Sequence, residues 1–222
     1  MPSAAAQTKV KKPAKKALAS RTSILDAAER VFASFGYEGA TMSLIAREAG
    51  QAQALLHYYF ETKENLYEEI FQRRATTINA FRKQEIERLF AERTKPSLEH
   101  VLDIFFLPAP ATPTGGGSSP AYSQIVAAVV VADDRRSKDI VARHYDPIAQ
   151  DFITAFRKVM PTLSHSDAVW AYLFAHGARI QLLSRSGRYQ RLSGDKSSRK
   201  AEAAAVERLK SFVAAGIKAL AG

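Results

Sequence analysis

The side chains that could do chemistry are distributed in a way that argues against catalysis. Five histidines, His57, His100, His144, His165 and His176, are scattered along the chain, with no HExxH and no paired spacing for a metal ion. No cysteine is present, which removes disulfides, thiolate metal sites and a cysteine nucleophile. Neither a GxSxG elbow nor a phosphate-binding glycine loop followed by Lys-Ser or Lys-Thr occurs. No enzyme, metal or cofactor is therefore expected. What remains is hydrogen-bonding chemistry concentrated in one short stretch, where Gln53, Ala54, His57 and Tyr58 alternate with the apolar Leu55, Leu56, Tyr59 and Phe60.

The elements that must position this stretch can be read from its flanks. Thr41 can cap a helix by accepting from a backbone N–H, and Leu44, Ile45 and Ala49 then share one face. That helix stops at Gly50, which tolerates the left-handed backbone of a tight turn. Residues 41–64 thus read as a helix-turn-helix. A second helix of under ten residues is too short to stand by propensity, so packing must hold it, leaving its other face free to enter a DNA major groove. An ordinary helical hairpin is the plain alternative. Upstream, RTSILDAAERVFASFGYEGATM places Ile24, Ala28, Val31, Phe32 and Phe35 on one helical face; downstream, Thr62 can cap a long helix.

Taken together, Ala27, Phe32, Gly36-Tyr37, Thr41, Ile45-Ala46, Ala49-Gly50, Leu56, Tyr58, Phe60, Lys63-Glu64 and Leu66 resemble the TetR family of bacterial transcriptional regulators, over about residues 20–68. The resemblance implies double-stranded DNA as partner, a homodimer, and a small-molecule effector bound by a C-terminal domain, with repression the usual outcome. It assigns base reading to Gln53, Ala54 and His57, and phosphate gripping to Thr41, Tyr58 and Lys63. A Gln amide can bond an adenine edge and Ala54 can meet a thymine methyl, whereas no Lys or Arg lies between Ala52 and Phe60 to read guanine. The chain departs from the family pattern at Gln51, Ala52 and His57. Without a hydroxyl at position 52 the second helix loses a cap worth about 1 kcal/mol. The alternative is a TetR-like interaction protein acting mainly through a protein partner.

Of the 222 residues, 46% are hydrophobic and 24% charged, ordinary for a globular chain with a sizeable core. The reading is all-α, in two folded domains preceded by an arm. Residues 1–19 hold Lys9, Lys11, Lys12, Lys15 and Lys16 and no acid. Their low apolar content and Pro13 predict a disordered basic arm that reaches phosphates or the minor groove. No apolar signal core and no membrane-spanning run is present, so a cytoplasmic chain is expected. Residues 20–66 form the DNA-binding domain; within 20–64 four basic residues face six acidic ones, a net charge of −2 inside a chain of +10. Sequence-independent attraction to DNA then falls to the arm.

Residues 67–222 are the expected ligand-binding and dimerisation domain. A helical pattern runs unbroken from Lys63 towards Pro96, a natural lever between the two functions. Ser97 caps a short apolar helix ending at Pro108, and residues 108–120 read as a flexible loop. AVVV near residue 130 reads as a buried helix because a lone strand would have no partner. A helical stretch around residues 138–160 breaks near Pro147. A third helix, capped by Ser164 or Ser166, is apolar almost all round, and a last helix covers about 199–220. These two are the expected dimer interface, with a polar loop between them. His144, Trp170, Phe174, His176 and Arg179 are the candidate lining of an effector pocket.

Overall fold

The computed structural model describes residues 11–108, 117, 119–183, 187–194 and 199–222, and all its elements are helices. They divide into two compact units, Met1–Ile70 and Phe71–Gly222. The boundary falls four residues later than residue 66, inside a continuous helix.

The first unit begins with α1 (Lys11–Gly39), interrupted at Gly36, whose φ of 67° and ψ of 177° are accessible in practice only to glycine. The expected disorder is corrected for residues 11–19, because the helix already runs from Lys11; residues 1–10 lie outside the described residues. Ala, Lys and Leu are strong helix formers, and Pro13 stands in the first turn, where its missing N–H costs nothing. Lys9 lies outside the described residues. Next come α2 (Met42–Ala49), α3 (Gln53–Phe60) and the start of α4 (Lys63–Glu92). Ile24, Leu25, Ala28 and Val31 of α1, Ile45 of α2, Leu56 and Phe60 of α3, and Leu66 and Ile70 of α4 are buried together. Each of these side chains other than Ala28 contributes roughly 1.5–3 kcal/mol, which is what keeps two eight-residue helices folded.

The second unit holds the remainder of α4 with α5 (Leu98–Phe106), α6 (Pro120–Val131), α7 (Arg135–His144), α8 (Asp146–Val159), α9 (His165–Leu183), α10 (Arg188–Ser193) and α11 (Arg199–Leu220). Its core is built on Val101, Leu102 and Phe105, Phe152 and Phe156, Ala168, Ala171 and Ala175, and Val213 and Ile217. Ser97 starts α5 through a capping box in which the third residue is His100: the Ser97 Oγ accepts from the His100 N–H and the His100 Nδ1 accepts from the Ser97 N–H. Ser164, not Ser166, caps α9, accepting from the Asp167 N–H at 3.0 Å.

The break near Pro147 falls at Tyr145, since Pro147 has no N–H to continue α7. AVVV is helical, within α6, but only Tyr122, Ile125 and Val129 are buried and Val131 is 73% exposed. The expected polar loop between the last two long helices contains α10, set between Gly187 and Gly194, both left-handed. The expected flexible loop falls mostly on residues 109–116 and 118, outside the described residues. No described helix is long and apolar enough to cross a membrane.

Candidate functional site

The helix-turn-helix is assembled by its caps. The Thr41 hydroxyl accepts from the Leu44 N–H at 3.1 Å and starts α2. Gly50, at φ 63° and ψ 34°, ends it, its N–H returning to the Ala46 and Arg47 carbonyls. Ala52 starts α3 with no side-chain cap, as its missing hydroxyl implies. Leu56 and Phe60 turn inward, so Gln53, Ala54, His57 and Tyr58 share the outward face, Tyr58 being 78% exposed.

On that face the Gln53 Nε2 lies 3.3 Å from the His57 Nε2, and the His57 Nδ1 lies 3.0 Å from the Glu61 carbonyl. A carbonyl can only accept, so Nδ1 carries the proton and Nε2 accepts from the Gln53 amide. The Gln53 side chain is thereby oriented before any DNA arrives. Its second N–H and its carbonyl oxygen stay available, which is the donor-acceptor pair an adenine edge requires. Behind α3 the chain reverses in three residues: Glu61 takes φ 62° and ψ −59°, and the Thr62 N–H reaches the Phe60 carbonyl at 2.6 Å. This is a γ-turn of the strained, positive-φ kind. It sets Thr62 to cap α4 by accepting from the Asn65 N–H at 3.1 Å.

Lys63 follows immediately and has a structural task. Its ammonium donates to the Tyr37 carbonyl at 2.9 Å and the Ala40 carbonyl at 3.2 Å, and sits 4.2 Å from the centre of the Tyr37 ring. Two of its three protons hold α4 to the turn before α2, so one is left for a phosphate. Tyr37 in turn donates to Glu64, and Arg30 pairs with Glu48 at 2.8 Å. The reading face is rigidly framed by acids and by a committed lysine.

The candidate effector pocket divides. On α9, Ala168, Ala171 and Ala175 face the core, so Trp170, Leu173, Phe174 and Gly177 lie opposite. Trp170 is 52% and Phe174 61% exposed, stacked on each other with ring centres 5.4 Å apart. They do not line an interior pocket. An all-round apolar helix has no periodicity to tell its inner face from its outer one, which is why both were expected inside.

His144, His176 and Arg179 do turn inward. His144 is buried beside Phe71, ring centres 6.2 Å apart, and its carbonyl accepts from the Asn79 amide. His176 stacks on Tyr172 at 5.7 Å, and the Arg179 guanidinium lies 5.9 Å from the centre of the Phe105 ring. Tyr122 and Tyr145 bond through their hydroxyls, with Phe71 packed against both.

Sequence reasoning missed Arg82. It is only 7% exposed and its Nε is buried without a hydrogen-bond partner. A signal was present: Ala75, Ile78, Arg82, Ile86 and Leu89 recur at spacings of three and four, so Arg82 occupies an apolar register.

Burial sets the electrostatics of this interior. Desolvation lowers the Arg82 pKa. It brings Arg179 down to about 9, the Arg82 charge adding to the effect, so Arg179 remains cationic at pH 7; a guanidinium in a protein is not deprotonated at neutral pH, which holds for Arg82 as well. His176 is lowered to about 4, first by desolvation and then by Arg179 and Arg82, and is neutral. Tyr145 and Tyr172 are raised by burial and stay protonated. Among the described residues no group of three or more His, Cys, Asp or Glu could hold a metal ion.

Comparison with known proteins places both units. Residues 24–70 match the bacterial regulatory proteins of the tetR family, and residues 103–216, just over half of the chain, match the Tetracyclin repressor-like C-terminal domain. The HTH-type transcriptional regulator YhgD of Bacillus subtilis is 37% identical over 75 residues, 34% of this chain and 35% of that protein. The HTH-type transcriptional repressor AcnR of Corynebacterium glutamicum is 42% identical over 48 residues, 22% of this chain and 26% of that protein. The chain thus spans about a third or less of these relatives. Among solved structures, Salmonella enterica GusR shares the fold with a TM-score of 0.57 at 15% identity, over 95% of this chain and 100% of that one. A transcriptional regulator (TerR/AcrR family) from Aquifex aeolicus does so with a TM-score of 0.54 at 17% identity, over 90% and 99%. With a capped helix-turn-helix, a matching helical second unit and both halves of the chain recognised, the protein belongs to the TetR family of bacterial transcriptional regulators.

Proposed function

We propose that the chain is a cytoplasmic, homodimeric repressor that reads a palindromic operator through α3 and is released from it by a small molecule bound in the second unit. The observation that carries the DNA-binding part is the outward face of α3, where Gln53 is pre-oriented by His57 beside the exposed Ala54 and Tyr58. In this reading Gln53, Ala54 and His57 meet base edges, while Thr41, Tyr58 and the remaining proton of Lys63 meet phosphates. The lysines of residues 9–16 supply the general attraction that residues 20–64, with a net charge of −2, lack. Two exposed apolar stripes, Trp170, Leu173, Phe174 and Gly177 on α9 and Phe212, Ala215 and Gly216 on α11, support a dimer formed by these helices.

Effector release is a population shift: a ligand that prefers a conformation with misplaced reading helices weakens DNA binding by the ratio of its affinities for the two states. Selection of genomic fragments with the purified protein tests the proposal directly. A palindrome with half-sites about one turn, roughly 34 Å, apart is the expected product. Recovery of fragments without any shared motif would leave the protein-partner reading in its place.

A further inference from the structure

The interior of the second unit contains an imbalance of charge. Arg82 and Arg179 are both desolvated and repel each other. The other groups acting on the two guanidiniums are the tyrosines 122, 145 and 172, whose hydroxyls offer dipoles and no carboxylate. Asp146 is felt by Tyr172 but is itself exposed, at the start of α8. The Arg82 Nε is buried with no acceptor. Burying an unpaired guanidinium is expensive, and removing it in favour of an apolar side chain is a frequent route to greater stability. One such group, with the desolvated, half-buried Arg179 guanidinium acting on it, is therefore a cost to the free protein, of the kind binding sites carry.

We propose that this cluster is the receptor of the effector and that the effector is an organic acid, its oxyanion held by Arg82 and Arg179 and its apolar body packed on the rings of Phe71 and Phe105. The guanidinium fork suits a planar carboxylate with two acceptor oxygens. The Tyr145 and Tyr172 hydroxyls, held protonated, can donate to the same group. Neutral molecules of equal size are discriminated against because they leave both cations unpaired. The assignment rests on the effector reading above, and the two can fail separately.

The test uses the full chain without DNA. Octanoate and benzoate are titrated by calorimetry and thermal shift against their methyl esters and against inorganic phosphate, for the wild type and for Arg82→Met and Arg179→Met. At least one acid should bind, its ester at least tenfold more weakly, and each Met variant should lose tenfold or more in acid affinity. Each Met variant should also melt above the unliganded wild type by a few degrees, which a merely structural arginine would not allow. Should a Met variant fail to fold, Arg82→Gln and Arg179→Gln give the affinity comparison. Phosphate that binds as tightly as the acids would show a receptor for the oxyanion alone and overturn the role given to the rings. The proposal also falls if esters bind as well as acids, if no acid binds at millimolar concentration, or if the Met variants melt below the wild type with acid affinity unchanged. An acid that binds through Arg82 yet leaves operator affinity untouched would keep the receptor and sink the effector link. A neutral compound that releases DNA equally from wild type and Arg82→Met would do the reverse.

Discussion

At the scale of single residues, discrimination and pH response belong to different side chains. Gln53 offers one N–H and one carbonyl oxygen beyond its bond to His57, so Gln53→Ala should cost about 1–3 kcal/mol per half-site. The loss should concentrate at one symmetric pair of operator positions; equal losses on operator and random DNA, measured by mobility shift, would remove Gln53 from the readers. His176 answers to protons. Its folded pKa of about 4 lies below the ordinary 6.5, because burial, Arg179 and Arg82 all disfavour the charged ring. Between these values the unfolded chain binds the extra proton, so stability rises with pH and is lost as pH falls from about 6.5 to 4, by up to about 3 kcal/mol. Glu99, held at about 2 chiefly by its hydrogen bond from Lys218, adds its own loss only below about 4.5. His176→Gln should therefore flatten the melting temperature between pH 6.5 and 4.5 while leaving the steeper fall below it. An unchanged slope in the upper window would mean that another group titrates there.

At the scale of elements, most helix starts are legible in the sequence because a cap is a single residue with a single task. Thr41, Thr62, Ser97 and Ser164 each accept the N–H that their type predicts. Glycine at 50 and proline at 147 mark breaks for equally local reasons. What could not be read is decided by tertiary packing. The inner face of α9 is not distinguishable in a helix apolar on every side, and Trp170 and Phe174 lie on the outer one. Lys11 to Lys16 lack the apolar periodicity that signals a packed helix, although their propensity allows one. The γ-turn at Glu61 is likewise invisible, since glutamate gives no hint of positive φ. Its strain leads to a prediction: Glu61→Gly should be neutral or stabilising by up to about 1 kcal/mol, and Glu61→Val destabilising by more than that. Equal melting temperatures for both variants would show that the turn relaxes freely and does not fix α4 behind the reading helix.

At the scale of the molecule, the proposed palindromic operator would need two reading helices, paired in the proposed dimer by a contact through the second unit. α9 and α11 pack on each other through Ala168, Ala171, Ala175, Val213 and Ile217, leaving their aromatic stripes outward. Phe212 is 73% exposed, and a stable interface of about 800 Å² per partner needs such anchors together with small residues that permit close approach. Gly177 and Gly216 fit the second need: both are exposed, and a Cβ added to either meets nothing within 4 Å in the protomer. Ala178, one position on from Gly177, packs against its own core and would report on folding instead. Gly177→Glu and Gly216→Glu should thus fold at least as well as the wild type, since glycine inside a helix is unfavourable by about 1 kcal/mol. Two carboxylates brought face to face across the interface would nevertheless drive the dimer apart. Sedimentation should find monomers with unchanged helical content, and operator affinity should collapse towards that of a single half-site. A wild-type dimer from both variants would move the interface off these helices, because a Cβ at either position meets nothing within 4 Å in the protomer.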